Sequence, residues 1–137
     1  MTGEHHHQVH GLLPAGGADY AVSLRARHHT LSADEPASEG GADAAPRPFE
    51  LAMAGLVACT AITVRMYARR KQWPLGDVEV GVTLLKRADG FAISRTVRLG
   101  GELTDEQRAR IAEICEKTPV TLLMKQGASI RTTVSGA

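Results

Sequence analysis

The chain has 137 residues, 43% of them hydrophobic, and a formal net charge of +1. That length and apolar content suit one folded domain over 1–137 and exclude a disordered chain. The near-neutral balance, with no basic block outside one helix end, points away from nucleic acid and from an anionic membrane as partners. Residues 1–7 read as a flexible polar tail that lacks the basic start and apolar stretch of a signal peptide. The longest uncharged apolar run, Leu51 to Val64, is short for a bilayer span, so a cytoplasmic protein is expected.

Taken in chain order, a weak strand is predicted around Gln8 to Leu13, then a glycine-rich turn from Pro14 to Asp19. A second strand covers Tyr20 to Arg27, where Ala21-Val22-Ser23-Leu24-Arg25-Ala26 alternates in polarity. After Ala33-Asp34-Glu35-Pro36, whose two acids read as turn formers and exposed charges, comes a loop from Ala37 to Arg47 of Gly, Ala, Asp and Pro. A long helix is predicted from Pro48 to Lys71. Proline at its first position loses no hydrogen bond, Arg65, Arg69, Arg70 and Lys71 suit the negative end of its dipole, and Trp73-Pro74 stops it. Val78 to Leu84 and Phe91 to Leu99 alternate as the arms of a hairpin around Ala88-Asp89-Gly90. Thr104-Asp105-Glu106-Gln107 has the side chains of a capping box, and Ile111, Ile114 and Cys115 mark the buried stripe of a second helix ending before Pro119. Ser129 to Val134 is read as a final strand.

This order of elements indicates an α+β fold in which antiparallel strands pack a long central apolar helix. A single small sheet covers only one side of a helix that is apolar all round. A second copy of the chain would cover the other, which implies a homodimer with the two long helices at its centre.

Two cysteines occur, Cys59 in the long helix and Cys115 in the second, with no C-x-x-C pairing. In a reducing compartment this favours free thiols or a transient catalytic disulfide. At 100° per residue Gly55, Ile62, Thr63 and Met66 share the face of Cys59, and the small Ala52, Gly55 and Ala58 admit close approach by another backbone. A thiol held there is either inert filling or a guarded nucleophile. His5 and His7, two apart, would share one face of a strand, but no acidic or cysteine ligand accompanies them, so no metal is expected.

Four stretches together resemble the OsmC/Ohr family, the osmotically induced and organic-hydroperoxide-resistance proteins. They are Ala33-Asp34-Glu35-Pro36, Gly40-Gly41-Ala42-Asp43 with Pro46 and Pro48, Glu50-Leu51 through Ala58-Cys59-Thr60 into Met66-Tyr67-Ala68, and Thr118-Pro119-Val120. The resemblance implies an OsmC-like fold assembled as an intertwined homodimer with sites at the subunit interface. It also implies a thiol-dependent peroxide reductase for organic hydroperoxides, with Cys59 as the attacking sulfur, no cofactor, and an external thiol as reductant. In the family's peroxidases a glutamate ten residues before the cysteine and an arginine from an N-terminal loop organise the site. Here Phe49 occupies the first position with Glu50 beside it, and Arg25 and Arg27 lie in the strand after the N-terminal turn. The family's resolving Cys-Pro is replaced by Thr118-Pro119, one helical turn after Cys115. The candidate site is therefore Cys59, Cys115, Glu50 and Arg27. The alternative is a non-catalytic dimer that binds a small apolar ligand at its interface.

Overall fold

The computed structural model describes residue 4 and residues 6–136, so His5, one of the two histidines weighed as a metal pair and set aside, lies outside the described residues. The chain forms two compact units, Met1–Ala52 and Met53–Ala137. Strands, helices and antiparallel sheets combine as the α+β fold expected from the sequence.

In the first unit, β1 (His10–Leu12), β2 (Val22–Ala26) and β3 (His29–Ala33) form an antiparallel meander in the order β1-β2-β3. Ala26 pairs with His29, so Arg27 and His28 make a two-residue turn, and Arg27 adopts a φ of 55°. A turn of this kind calls for positive φ in a residue that follows the right-handed twist of its strands, which takes Arg27 out of the strand assigned to it. β3 itself was hidden, because His29-Thr30-Leu31-Ser32 is exposed throughout and carries little polarity contrast. The acids of the following turn differ from expectation. Asp34 is buried, its carboxylate accepting the N–H groups of Glu35 at 2.7 Å and Ala44 at 3.2 Å. Those backbone donors replace the water that a free carboxylate would keep, and they hold its pKa below the ordinary carboxylate value. The loop closes so tightly around Asp34 that a Cβ on Gly41 would overlap the Glu35 carbonyl.

The second unit is built on α1 (Pro48–Lys71), whose bounds match the sequence signals at both ends. Leu56, Thr60, Val64 and Ala68, four apart, form its buried stripe. Gly55, Ala58, Ile62 and Met66 stay exposed, so the helix is covered on one side only. At 24 residues with a mean hydropathy of 1.6 over its most apolar 18, α1 is long and apolar enough to cross a membrane, contrary to the estimate from the uncharged run alone. The helix continues beyond that run because Arg65 and the residues after it extend its last turns. Arg65 is no free helix-end charge: it donates to the carbonyls of Leu75 at 3.1 Å and Gly76 at 2.7 Å.

β4 (Leu75–Arg87) and β5 (Gly90–Gly101) form one long hairpin closed by Ala88 and Asp89. A bulge between Leu75 and Val78 ends the regular pairing, and a Cβ on Gly101, at φ 91°, would overlap the Pro74 carbonyl. α2 (Asp105–Cys115) starts with the expected capping box, Thr104 and Gln107 exchanging bonds of 2.9 and 3.1 Å. Ile111 and Cys115 are buried with Val64 of α1, and Trp73, Val78, Val97 and Leu99 pack around them.

Two segments after α2 depart from expectation. Thr118-Pro119 opens a further helix, α3 (Pro119–Gln126), with Thr118 as its cap and Pro119 in the first turn, where proline is at home. No strand forms over Ser129 to Val134, although Ile130 and Val134 are 87% and 90% exposed. Alternating apolar residues make a strand only when a sheet edge accepts them, and that segment finds none within its own chain.

Candidate functional site

The arrangement around Cys59 is made by the approach of α3 to α1. Cys59 is half-buried, and its Sγ accepts the backbone N–H of Val120 at 3.4 Å while lying 3.9 Å from Thr63 Oγ1. Val120 stands in the first turn of α3, where backbone N–H groups have no partner within the helix and carry the positive end of its dipole. A sulfur placed there meets a donor that a thiolate accepts more strongly than a thiol does.

The neighbouring residues of both partners are tied by one guanidinium. Arg95 Nη1 donates to Thr60 Oγ1 at 3.0 Å and to Thr121 Oγ1 at 2.9 Å, while Nη2 donates to the Cys115 carbonyl at 2.7 Å. The second nitrogen also lies 3.4 Å from Glu116 Oε2, and Lys125 pairs with the other oxygen of Glu116 at 2.7 Å. The Lys125 hydrogen bond, then its charge, with Arg95 adding less, keeps the Glu116 carboxyl more acidic than usual. Thr60, Thr118 and Thr121 are all buried, and the hydroxyls of Thr118 and Thr121 lie 2.6 Å apart. Every buried polar atom in this knot thus has a partner, as burial requires.

The sequence reading missed Arg95, and the signal was present. β5 alternates as Phe91, Ile93, Arg95, Val97, Leu99 on one face, paired with Lys86, Leu84, Val82, Val80 and Val78 of β4. One arginine in the middle of an apolar face is a residue with a buried task. A groove of about 430 Å³ runs beside it, with Leu56, Phe91, Ile93 and Met124 as apolar wall and Arg95, Glu116, Thr121 and Lys125 on the polar side.

The four candidate residues are not brought together alike. Cys115 sits in the apolar cluster with Val64 and Ile111, and burial raises its thiol above the ordinary value, with Arg95 offsetting part of the effect. Val64 lies five residues beyond Cys59, or about 140° around the helix, so Cys115 meets a different face of α1. Glu50 is exposed in the first turn of α1, where its Oε1 accepts the Arg47 N–H at 2.9 Å, a helix-capping bond. Arg27 is exposed in the β2–β3 turn of the first unit. Among the described residues no group of three or more His, Cys, Asp and Glu side chains is placed to hold a metal.

A comparison of the sequence with curated proteins finds no match. Solved structures share the fold at low identity. An OsmC-like protein from Mycoplasma pneumoniae is 15% identical with a TM-score of 0.75, covering 90% of this chain and 89% of its own. An organic hydroperoxide resistance protein OsmC from Legionella pneumophila is 21% identical at 0.66, over 90% and 92%. A Vibrio cholerae protein of the organic hydroperoxide resistance group, solved with captopril in one of its active sites, is 21% identical at 0.63, over 93% and 89%. The family described as OsmC-like protein matches residues 40–133, which span α1, both long strands, α2 and α3. The chain belongs to the OsmC-like protein family.

Proposed function

We propose that the protein is a thiol-dependent peroxide reductase for organic hydroperoxides, with Cys59 as the attacking sulfur. The observation that carries the reading is the Val120 N–H directed at Sγ from the first turn of α3. In the reaction the thiolate of Cys59 attacks the outer oxygen of ROOH and the O–O bond breaks. The alkoxide leaves as ROH after taking a proton, and Cys59 becomes a sulfenic acid. A small external thiol then condenses with it, releasing water and forming a mixed disulfide that a second thiol reduces. No metal or organic cofactor takes part. The apolar residues that surround Cys59 on α1 support an organic peroxide as substrate over hydrogen peroxide. Glu50 and Arg27 are proposed auxiliaries whose charged groups remain exposed, and Cys115 is the alternative to the external thiol as the partner of the sulfenic acid. The working compartment is the cytoplasm.

The same proposal includes a homodimer. Gly55, Ala58, Ile62 and Met66 leave an exposed apolar stripe on α1 with small residues at its start, and no side chain lies within 4 Å of a Cβ placed on Gly55. Faces of this kind in soluble proteins mark a partner. The uncovered segment at Ile130–Val134 needs an edge that a second copy would supply. Sedimentation should show about twice the chain mass, and Gly55→Leu should weaken assembly by roughly 1 to 3 kcal/mol.

The activity is tested by following cumene hydroperoxide and hydrogen peroxide with a dithiol reductant. The natural protein should consume the organic peroxide faster, and Cys59→Ser should consume neither. A second reading, a non-catalytic dimer binding a small apolar ligand, is favoured by one observation: among the described residues Cys59 Sγ meets a backbone N–H and a threonine hydroxyl, and no arginine hydrogen-bonds to it. Consumption at the Cys59→Ser rate by the natural protein would decide for it.

A further inference from the structure

We propose that Arg95 is the positioning residue of the Cys59 site, setting the sulfur's reactivity without touching it. The inference rests on the thiol chemistry proposed above. Cys59 is followed by Thr60 and Val120 by Thr121. Arg95 Nη1 binds both of those following residues, through Thr60 Oγ1 at 3.0 Å and Thr121 Oγ1 at 2.9 Å. One nitrogen therefore fixes the separation between the backbone that carries the thiol and the backbone that carries its donor.

The other nitrogen fixes the third body. Arg95 Nη2 holds the Cys115 carbonyl at the end of α2, and Thr121 Oγ1 lies 3.3 Å from that same carbonyl. The short link from α2 to α3 is thereby held at both sides, and α3 itself is only eight residues long. Thr60 also donates its hydroxyl to the Leu56 carbonyl at 2.7 Å, so its lone pairs are turned toward Arg95. Planar geometry with several fixed donors makes arginine suited to such a junction, and a lysine ammonium would satisfy only part of it. Val82, the residue paired with Arg95 across the hairpin, has no polar side-chain atom, and the guanidinium directs its hydrogen bonds to Thr60, Thr121 and the Cys115 carbonyl. Glu116, itself held by Lys125, balances the guanidinium on the solvent side.

The test reads Cys59 directly and uses no peroxide. Alkylation of the full-length protein by iodoacetamide at one fixed pH is followed by mass spectrometry at the Cys59 peptide. The Val120 amide resonance is followed in a nitrogen-15 correlation spectrum. In the natural protein Cys59→Ala should move the Val120 resonance; with Arg95→Met already present it should not. Arg95→Met should slow Cys59 alkylation roughly tenfold, the scale of one hydrogen bond to a charged group. Arg95→Lys should restore part of the rate. Val97→Ala, which loosens the same face of β5, should leave both readouts near natural values. Thr60→Val and Thr121→Val each cut one tie while keeping the charge, and should reproduce the effect in a milder form if Arg95→Met does not fold. A natural alkylation rate in the folded Arg95 and threonine variants, or an equal slowing in Val97→Ala, would overturn the proposal. A protein that shows the Arg95 dependence yet consumes no peroxide would sink the peroxidase reading alone.

Discussion

The two thiols of this chain occupy opposite kinds of surroundings within one unit. Cys59 is half-buried at the meeting of two helices and receives a backbone N–H from the start of α3. Cys115 is buried among Val64, Ile111 and their apolar neighbours, and burial pushes its thiol up. Burial alone therefore says little about reactivity: what distinguishes the two sulfurs is a donor aimed at one of them. A core cysteine is a small hydrophobe, whereas a cysteine that faces the start of another helix meets a hydrogen-bond donor.

The largest expected consequence is selectivity. Under less than one equivalent of cumene hydroperoxide, mass spectrometry should find the first oxygen on Cys59, and Cys115→Ala should leave that outcome unchanged. Oxidation confined to Cys115 would reverse the comparison.

Resolution sharpens it further. Thr118 is two residues before the N–H that touches Cys59, while Cys115 meets the Val64 face of α1. Thr118→Cys should therefore form an internal disulfide with Cys59 on mild oxidation, read as loss of both free thiols. The natural protein should instead accumulate a sulfenic acid or mixed disulfide. A Cys59–Cys115 disulfide forming readily in the natural protein would show that α2 moves enough to erase the difference between the two sites.

The thiols should also separate in stability. Cys115→Ser puts a hydroxyl into an apolar cluster and should cost about 1 to 3 kcal/mol in urea unfolding. Cys59→Ser, beside a ready N–H donor and Thr63, should cost less than Cys115→Ser. Equal losses would mean that Cys115 is not the core residue its neighbours make it.

Much of this was legible in the sequence because it was local. The long helix declared itself through Pro48, its cationic end and Trp73-Pro74, the hairpin through alternation, and α2 through Thr104 and Gln107. Those signals depend on residues close in the chain. The threonine knot does not: Arg95 reaches Thr60 and Thr121 across 35 and 26 positions, and no spacing rule joins them. α3 escaped because Thr118-Pro119 was read as the end of one helix when it is the cap of the next. The strand read at Ser129 to Val134 failed for a different reason, since pairing depends on an edge that local pattern does not reveal. Cys59 itself was found by position, but the N–H that gives it meaning comes from 61 residues away.

The smallest effect tests whether backbone donors act alike on a carboxylate in the other unit. Asp34 accepts N–H groups from Glu35 and Ala44, in that order of strength, as Cys59 accepts one from Val120. Its pKa is held below the ordinary value of 3.8, so the folded state favours the ionised form. The resulting stabilisation is fully present well above that ordinary value. It is lost as pH falls through 3.8 toward the lower folded value, because the unfolded chain takes up its proton first. Asp34→Asn carries no such proton. Thermal midpoints at pH 7 and pH 3 should therefore fall further for the natural protein than for the variant. Equal falls would mean that the loop around Asp34 draws nothing from the carboxylate's charge, and that backbone donors in this fold fix geometry without favouring the anion.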